Sequence, residues 1–381
     1  MTIITKAELH FVDLVPEAVR TDSIQSFVSQ ETPILRIVDS DGNEGLGYTY
    51  TIGTGGSAVC ALLVDHLIPR LIGRDPSQIE AIWRDLKYST HATWVGPITA
   101  LSLAAIDTAL WDLKCRRAGT PLALAAGGAQ NSAPVYSTEC GWLHLSVDDL
   151  VEGALDAKAN GFGGVKIKVG KPHAAEDVAR IAAVREAVGD TFEIMVDCNQ
   201  AFTVDEAIRR ARLFERFNLG WIEEPLLADD VEGHVRLANH TAIPVAVGES
   251  LYSGQQFRDY LQRGGCSIVQ VDVARIGGIT PWLKVAHLAE CFNIPVAPHF
   301  LMELHVSLAC AVPNGRWVEY IPQLSRLCST TLEIVGGRIA PPRTPGIGID
   351  WNWDAIKEHR KESYRPNYFG MEFQSNRQLA I

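Results

Sequence analysis

The N-terminal third of the chain changes from a strand-like to a helix-like hydrophobic pattern. Residues 3–12 are largely apolar and β-prone, and residues 33–38 and 44–50 form two further strand candidates around a turn at 39–43. From Val59 to about Gly119, apolar residues recur at spacings near 3.6, as on one face of a helix. This order of elements predicts a small α+β domain.

From about Pro134, short apolar segments alternate with amphipathic helical stretches such as 147–160, 175–188, 204–217 and 279–292. Alternating strands and helices predict a parallel sheet, and eight such units predict its closure. The sequence therefore predicts an α/β fold with a (β/α)8-type barrel. The eight apolar segments are residues 135–140, 164–169, 192–199, 220–224, 244–249, 268–273, 294–299 and 316–321.

Composition adds few constraints, but it excludes some classes of function. The 381 residues are 47% hydrophobic and 21% charged, as in ordinary globular proteins. The net charge of −11 argues against a nucleic-acid partner. No signal peptide or membrane-spanning run is evident, and the eight cysteines form no Cys-x-x-Cys pair. We expect a cytoplasmic protein without a membrane partner.

Two lysines end the second predicted barrel strand, in Lys166-Ile167-Lys168. Residues two apart on a strand point to the same side, so both side chains should face the barrel mouth. Adjacent ammonium groups depress each other's pKa, which would favour one neutral amine able to act as a base. Taken alone, the pair is also compatible with two solvated lysines.

Three successive strands, the third to the fifth, each end in an acidic residue, and the spacing along the chain is equal. These residues are Asp197, Glu223 and Glu249. Three unpaired carboxylates in one place repel each other, and a hard divalent cation relieves that repulsion. All-oxygen ligands predict Mg²⁺, with Mn²⁺ as a possible substitute. The alternative to a metal ion is that the three carboxylates form salt bridges with lysine or arginine side chains. Only one of Glu223 and Glu224 needs to face inward, and the other would point outward or lie behind the first.

The last three strands supply Asp272, His299 and Glu319. Asp272 can fix the tautomer of His299 and raise its basicity. Glu319, if protonated, could donate a hydrogen bond to a developing oxyanion. A cation between two bases, Lys168 and His299, suits removal of a proton α to a carboxylate through an enediolate. Reprotonation on the other face gives racemisation or epimerisation, whereas loss of a β-hydroxyl gives dehydration.

These motifs together resemble the mandelate racemase subgroup of the enolase superfamily, in order and in spacing, over nearly the whole chain. The motifs are Lys166-Ile167-Lys168, Val196-Asp197-Cys198-Asn199-Gln200, Trp221-Ile222-Glu223-Glu224-Pro225, Gly248-Glu249, Asp272 followed by Ile276-Gly277-Gly278, His299 and Glu319. The resemblance implies a Mg²⁺ site and an enolase-like modified TIM barrel. It also implies a capping domain made from the N-terminal residues and completed by the C-terminal segment. We expect a cap at 1–125, a barrel at 126–325 and a C-terminal segment at 326–381.

The resemblance also implies roles for individual residues. The implied metal ligands are Asp197, Glu223 and Glu249, and the implied bases are Lys168 and the His299–Asp272 pair. Lys166 and Asn199 would bind the substrate carboxylate, and Glu319 would polarise it. Members of the subgroup are commonly homo-oligomers, often octamers.

In that subgroup, loops of the cap select the substrate, and the matching stretches here are roughly residues 20–27 and 49–56. The first is polar, and Arg20 is a candidate to bind substrate. A polar loop suits a polyhydroxy acid, although a solvated surface turn would have the same composition. Our first hypothesis is therefore dehydration of an aldonate or aldarate to a 2-keto-3-deoxy acid.

Two other hypotheses remain open from the sequence. A racemase or epimerase of a 2-hydroxy acid would need the same residues. A catalytically silent binding protein is the third, but no expected ligand or base is missing. A serine nucleophile and dinucleotide binding are both disfavoured. There is no Gly-x-Ser-x-Gly motif, and Lys166 replaces the third glycine of a fingerprint beginning at Gly161.

Overall fold

The computed structural model describes residues 2–93, 95–361 and 372–374. In chain order the strands are β1 Ile4–Leu14, β2 Gln30–Asp39, β3 Glu44–Tyr48, β4 Ala133–Ser137, β5 Gly164–Lys168, β6 Glu193–Asp197, β7 Ile222–Glu223, β8 Val245–Val247, β9 Ile268–Val269, β10 Val318–Tyr320, β11 Ile334–Val335, β12 Arg338–Ile339 and β13 Glu372–Gln374. The α-helices are α1 Gly56–Leu62, α2 Ile68–Leu71, α3 Ile79–Ser89, α4 Pro97–Arg117, α5 Leu122–Ala125, α6 Val147–Ala159, α7 Ala174–Val188, α8 Val204–Phe214, α9 Val231–Ala238, α10 Gly254–Arg263, α11 Ile279–Cys291, α12 Met302–Ala311 and α13 Trp353–Glu358.

The N-terminal elements form an antiparallel sheet covered by helices. The strand order is β13-β1-β2-β3, and β3 packs closely on α4. Gly45 and Gly47, two residues apart on β3, face the helix backbone at Ala109 and Ala105 so closely that a side-chain carbon on either would overlap it. Glycine is therefore required here because sheet and helix touch through their backbones.

Helix α4 is buried along most of its length because it lies between this sheet and the barrel. Its Trp111 indole donates to Thr280 Oγ1 (2.9 Å), and its Asp107 accepts from the Thr280 amide (2.8 Å). These bonds fix the N-terminal domain to the start of α11. No helix within the described residues is both long enough and apolar enough to cross a membrane.

The second sheet closes into the predicted barrel. Parallel pairing runs from β4 through β9 in chain order, and β10 pairs with β4. Val296 completes the ring by single parallel bridges to Val269 on one side and Gly315 on the other. The inside is filled with one layer of side chains, Tyr136, Met195, Trp221, Ala246, Ile268 and Ala297. The barrel is thus a packed core that leaves its mouth for chemistry.

The seventh predicted strand, 294–299, is shorter in the structure than its apolar pattern suggested. Only Val296 forms ladder bridges. Pro295 and Pro298 flank it, and neither has an amide hydrogen to donate to a neighbouring strand. The backbone still follows the barrel, because the Ala297 amide donates to the Val269 carbonyl at 2.9 Å.

The barrel helices begin close to the predicted positions because local caps set them. Ser146 before α6 and Ser253 before α10 each accept from the backbone amide three residues later. These side chains satisfy amides that have no partner inside the helix. The predicted helix at 204–217 is divided, since α8 ends at Phe214 and a 3₁₀ turn, Glu215–Phe217, follows it.

The C-terminal part of the chain returns to the N-terminal sheet. Strand β12 pairs with β4 beside the barrel, and Arg360 bridges to Val12 of β1. Backbone pairing of β13 with β1 extends that sheet by one strand. Residues 362–371 and 375–381 of the predicted C-terminal segment lie outside the described residues.

We predict that Gly47→Ala lowers the thermal unfolding midpoint by several degrees. The added carbon would overlap the α4 backbone, and overpacking of this kind costs about 1–3 kcal/mol. The matched control is Gly254→Ala at the start of α10, where the nearest atom to the new carbon is 4.0 Å away. Calorimetry of both variants tests this, and an unchanged midpoint for Gly47→Ala would contradict the close packing.

Candidate active site

The barrel brings the three predicted acidic residues into one cluster at the carboxyl ends of its strands. Asp197 pairs in register with Glu223 on the next strand, and Glu249 lies two residues beyond β8. One carboxylate oxygen from each lies within 4.8 Å of the others. Asp197 and Glu223 are fully buried, and Glu249 is 9% exposed.

This cluster has the chemistry of a divalent cation site. Burial, followed by the neighbouring Asp197 charge, raises the pKa of Glu223 to about 7, which shows the strain of like charges held together. The donors are all carboxylate oxygens, the ligand type that Mg²⁺ prefers. The residues present therefore fit the predicted metal.

The two lysines lie at the predicted place but not in the predicted charge state. Lys166 Nζ contacts Glu223 (2.8 Å) and Glu319 (2.7 Å), and Lys168 pairs closely with Asp197. Burial lowers the pKa of each lysine, but these carboxylates outweigh burial and raise both pKa values above their usual range. Lys166 does lower the pKa of Lys168, as expected, but the expected net lowering is not found. Each ammonium has a carboxylate against it, whose effect exceeds that of the other lysine.

His299 lies between Asp272 and the acidic cluster. Its Nδ1 is 2.8 Å from Asp272 Oδ2, and its Nε2 is 3.0 Å from Glu249 Oε2. Burial by itself lowers the pKa of His299, but Glu249 and Asp272 outweigh it and raise the pKa to about 10. The structure thus forms the His–Asp contact that the sequence pattern predicted.

Glu319 is an acceptor in this structure, not the protonated donor that we considered. Its carboxylate accepts from Lys166 Nζ (2.7 Å), the Thr138 hydroxyl (2.7 Å) and the Phe300 amide (2.8 Å). Burial raises its pKa, but Lys166, His299 and Lys168 together outweigh burial and bring the pKa to about 2. Three donors around one carboxylate favour its ionised form.

Asn199 and Arg20, two of the three residues expected to bind substrate, differ in where they lie. Asn199 lines the cavity next to the cluster, and its Oδ1 is buried without a hydrogen-bond partner among the described atoms. Arg20 does not line that cavity, because its guanidinium pairs with Glu139 at 2.7–3.0 Å. The structure therefore leaves Asn199 available to a ligand and gives Arg20 a structural partner.

The N-terminal domain covers the mouth and supplies part of the cavity wall. Asp22, Gln25, Phe27 and Ile52 come from the two predicted cap loops and line a small cavity. Ser23 fixes the first loop to the barrel, since its hydroxyl donates to the Cys198 carbonyl at 2.7 Å. The barrel contributes Trp142, Lys168, Asn199, Glu249, Arg275, His299, Phe300, Glu319 and Ile321.

Sequence reasoning missed several partners of the site. Gln270 and Trp221 both donate to Glu223 Oε2, at 2.7 and 3.0 Å, and Arg275 lines the cavity beside His299. Gln270 could have been found from the sequence. It lies two positions before Asp272, so both side chains should be on the same face of the strand. Glu224 behaves as predicted, lying behind the cluster with its carboxylate on Ser250 and Gln200.

Comparison with protein families covers most of the chain. Residues 9–126 match the mandelate racemase / muconate lactonizing enzyme N-terminal domain, and residues 149–355 match the enolase C-terminal domain-like family. The chain belongs to the mandelate racemase subgroup of the enolase superfamily. Its barrel and N-terminal domain are the two domains of that family.

Curated members of the family include enzymes of sugar-acid metabolism. The L-talarate/galactarate dehydratase of Salmonella typhimurium is 39% identical over 316 residues, covering 83% of this chain and 79% of the relative. The 3,6-anhydro-alpha-L-galactonate cycloisomerase of Streptomyces coelicolor is also 39% identical, over 338 residues, covering 88% of this chain and 93% of the relative.

Solved structures of such family members superimpose closely. The Salmonella dehydratase liganded with Mg and L-lyxarohydroxamate gives a TM-score of 0.92 at 34% identity, covering 98% of this chain and 95% of that one. The L-talarate dehydratase of Polaromonas sp. JS666 complexed with Mg and L-glucarate gives 0.90 at 36% identity, covering 99% and 100%.

We predict that Mg²⁺ raises the thermal midpoint of this protein by binding the acidic cluster. Saturation at about 100 times the dissociation constant contributes about 2.7 kcal/mol. Glu249→Gln, which removes one charge from the cluster, is expected to abolish most of the shift. Glu303→Gln is the control, because Glu303 is equally a buried glutamate but is not one of the three cluster residues. A titration followed by calorimetry measures both, and an unchanged shift in Glu249→Gln would exclude Glu249 as a ligand.

Proposed function

We propose that this protein is a Mg²⁺-dependent dehydratase that converts a sugar acid, an aldonate or aldarate, to a 2-keto-3-deoxy acid. One observation carries the proposal. Lys168 and His299 line the same cavity and contact different members of the acidic cluster, Asp197 and Glu249. Two possible bases beside one cation site suit removal of a proton next to a carboxylate. Similarity to the dehydratases of Salmonella and Polaromonas supports dehydration.

In this proposal Asp197, Glu223 and Glu249 hold Mg²⁺, for which Mn²⁺ is a possible substitute. When bound, the ion would neutralise these carboxylates and add positive charge beside the substrate carboxylate. Their mutual distances and all-oxygen chemistry support the assignment.

Lys168 and His299 are the proposed acid and base groups. One of them, in its neutral form, takes the α proton, breaking the C–H bond and leaving an enediolate. Protonated His299 then gives a proton to the β-hydroxyl, which leaves as water, and the resulting enol tautomerises to the 2-keto acid. Asp272 holds His299 by its Nδ1, so that Nε2 is the atom facing the cavity and able to exchange the proton.

Lys166 and Asn199 are proposed to bind the substrate carboxylate, and Glu319 is proposed to hold Lys166 in place. The Lys166 ammonium would stabilise negative charge that develops on it, and the unpartnered Asn199 Oδ1 can accept a hydrogen bond from a nearby hydroxyl. Glu319 keeps Lys166 in place through their 2.7 Å contact. We no longer propose a substrate contact for Arg20, since Glu139 occupies its guanidinium.

An isomerase is the second candidate. The Streptomyces cycloisomerase is as similar to this chain in percentage identity as the Salmonella dehydratase is. Racemisation or epimerisation of a 2-hydroxy acid would also use two bases at one carbon. The two candidates differ in whether a β-hydroxyl leaves the substrate.

Domain limits, assembly and location also remain proposals. We propose a cap at 1–125, a barrel at 126–325 and a C-terminal segment at 326–381, supported by a first barrel strand that begins at Ala133. Exposed apolar side chains at Val15, Val19, Ile24 and Val28 support a homo-oligomer, for which an octamer is one option. Eight free thiols support a cytoplasmic location.

We expect one or a few sugar acids to yield a 2-keto product when a library of aldonates and aldarates is incubated with the protein and Mg²⁺ in D2O. Keto product is measured colorimetrically, and deuterium at the α carbon by NMR. Exchange with an inverted centre and no keto product would establish the isomerase instead. No reaction with any acid would overturn the proposed function.

We expect His299→Asn and Lys168→Ala each to reduce turnover at least about 100-fold, the lower end for loss of a general acid or base. Both variants should keep the wild-type circular dichroism spectrum, because neither side chain is part of the apolar core. Steady-state kinetics with the substrate found above measures the loss. Full activity of both variants would contradict the two-base mechanism.

A further inference from the structure

Tyr50 is a cap residue that reaches the proposed catalytic pair, His299 and Asp272, inside the barrel. It follows β3 and is only 2% exposed. Its hydroxyl donates to Asp272 Oδ2 at 2.8 Å, and the same oxygen is 2.8 Å from His299 Nδ1. One carboxylate oxygen therefore joins a residue of the cap to a base of the barrel.

The rest of Asp272 is held by its own strand end. Its Oδ1 accepts from the backbone amides of Ala274 (2.7 Å) and Arg275 (3.1 Å). These local bonds fix one oxygen and leave Oδ2 to be oriented by Tyr50 and His299. Because Asp272 is fully buried, no solvent is available to replace a lost donor.

Arg275 extends this link towards the acidic cluster. Its Nε donates to the Tyr50 hydroxyl (3.0 Å) and its Nη1 to the Glu249 carbonyl (2.9 Å). The Tyr50 ring also packs on Phe300 with centroids 4.8 Å apart, next to His299 in the chain. Tyr50 thus contacts three residues around His299, namely Asp272, Arg275 and Phe300.

Lys168 has no corresponding contact with this link. Its ammonium pairs with Asp197 and lies 5.4 Å from the ring of Trp142, and both partners belong to the barrel. The two candidate bases therefore differ in how they are supported. His299 is reached by a hydrogen-bond chain that starts at Tyr50 in the cap, whereas Lys168 makes no hydrogen bond in that chain.

We propose that Tyr50 is a positioning residue whose hydroxyl supports proton transfer at His299 but not at Lys168. It acts through Asp272, which orients the His299 ring and fixes the proton on Nδ1. Loss of the hydroxyl would free Asp272 Oδ2 to turn, and His299 with it. This inference rests on the proposed function, because it needs both bases to act on an α proton.

The test measures proton exchange at each base separately. The probes are two pairs of acids that differ only at the α carbon, galactarate with L-talarate and D-galactonate with D-talonate, each in D2O with Mg²⁺. Exchange that remains in Lys168→Ala is assigned to His299, and exchange that remains in His299→Asn is assigned to Lys168. Tyr50→Phe, which keeps the ring, is then added to each background, and the thermal midpoint of every variant is recorded.

We expect Tyr50→Phe to slow exchange about 10–100-fold in the Lys168→Ala background, as for other groups that orient a functional histidine. In the His299→Asn background we expect a change of less than about 2-fold, because the affected chain ends at His299. Tyr48→Phe is the matched control. Tyr48 is the same residue type, is also 2% exposed and has no hydrogen-bond partner for its hydroxyl among the described residues.

Equal slowing in the two backgrounds would overturn the inference, since a loosened cap would affect both bases alike. Unchanged exchange in both backgrounds would overturn it as well. Absence of both α-proton exchange and keto product in the wild-type protein with every pair would instead overturn the proposed function itself. Normal exchange in the wild-type protein, with Tyr50→Phe slowing exchange only in the Lys168→Ala background, is the result that supports both the proposed function and this inference.

Discussion

Repulsion among three buried carboxylates is the constraint on which the rest of the site depends. Strand ends of a closed barrel converge, so Asp197, Glu223 and Glu249 cannot move apart without opening the sheet. Two buried lysines and a histidine offset part of the charge by direct contact. The same repulsion favours a divalent cation, which places positive charge where a substrate carboxylate would bind.

The cap is held by a different kind of contact, the close approach of backbones. The glycines of β3 let that strand lie directly on α4, and α4 in turn bonds to the barrel through Asp107 and Trp111. A rigid connection of this kind puts the cap loops over the barrel mouth. It also brings Tyr50 within hydrogen-bond distance of Asp272, so cap packing and the geometry of His299 are parts of one structure.

The barrel and most of the site could be predicted because they rest on local patterns. Alternating apolar segments and helices repeat along the chain. The carboxyl ends of all barrel strands lie at the same end of the barrel, so polar residues at those ends are expected to meet there. The seventh strand was less regular because Pro295 and Pro298 have no amide hydrogen to donate. The run of apolar residues that predicted this strand did not take the prolines into account. The ion pair of Arg20 with Glu139 could not be predicted, because polarity in a loop does not reveal which carboxylate lies next to it.

The sequence alone determined the fold class, the three carboxylates, the lysine pair and the partners His299 and Asp272. Periodicity and strand-end position are properties of short segments, so no long-range information was needed. Only the tertiary structure decided which carboxylates lie against Lys166 and Lys168, which donors surround Glu319, and the reach of Tyr50 into the barrel. These depend on distances between residues far apart in the chain and on burial that removes water from between their charges.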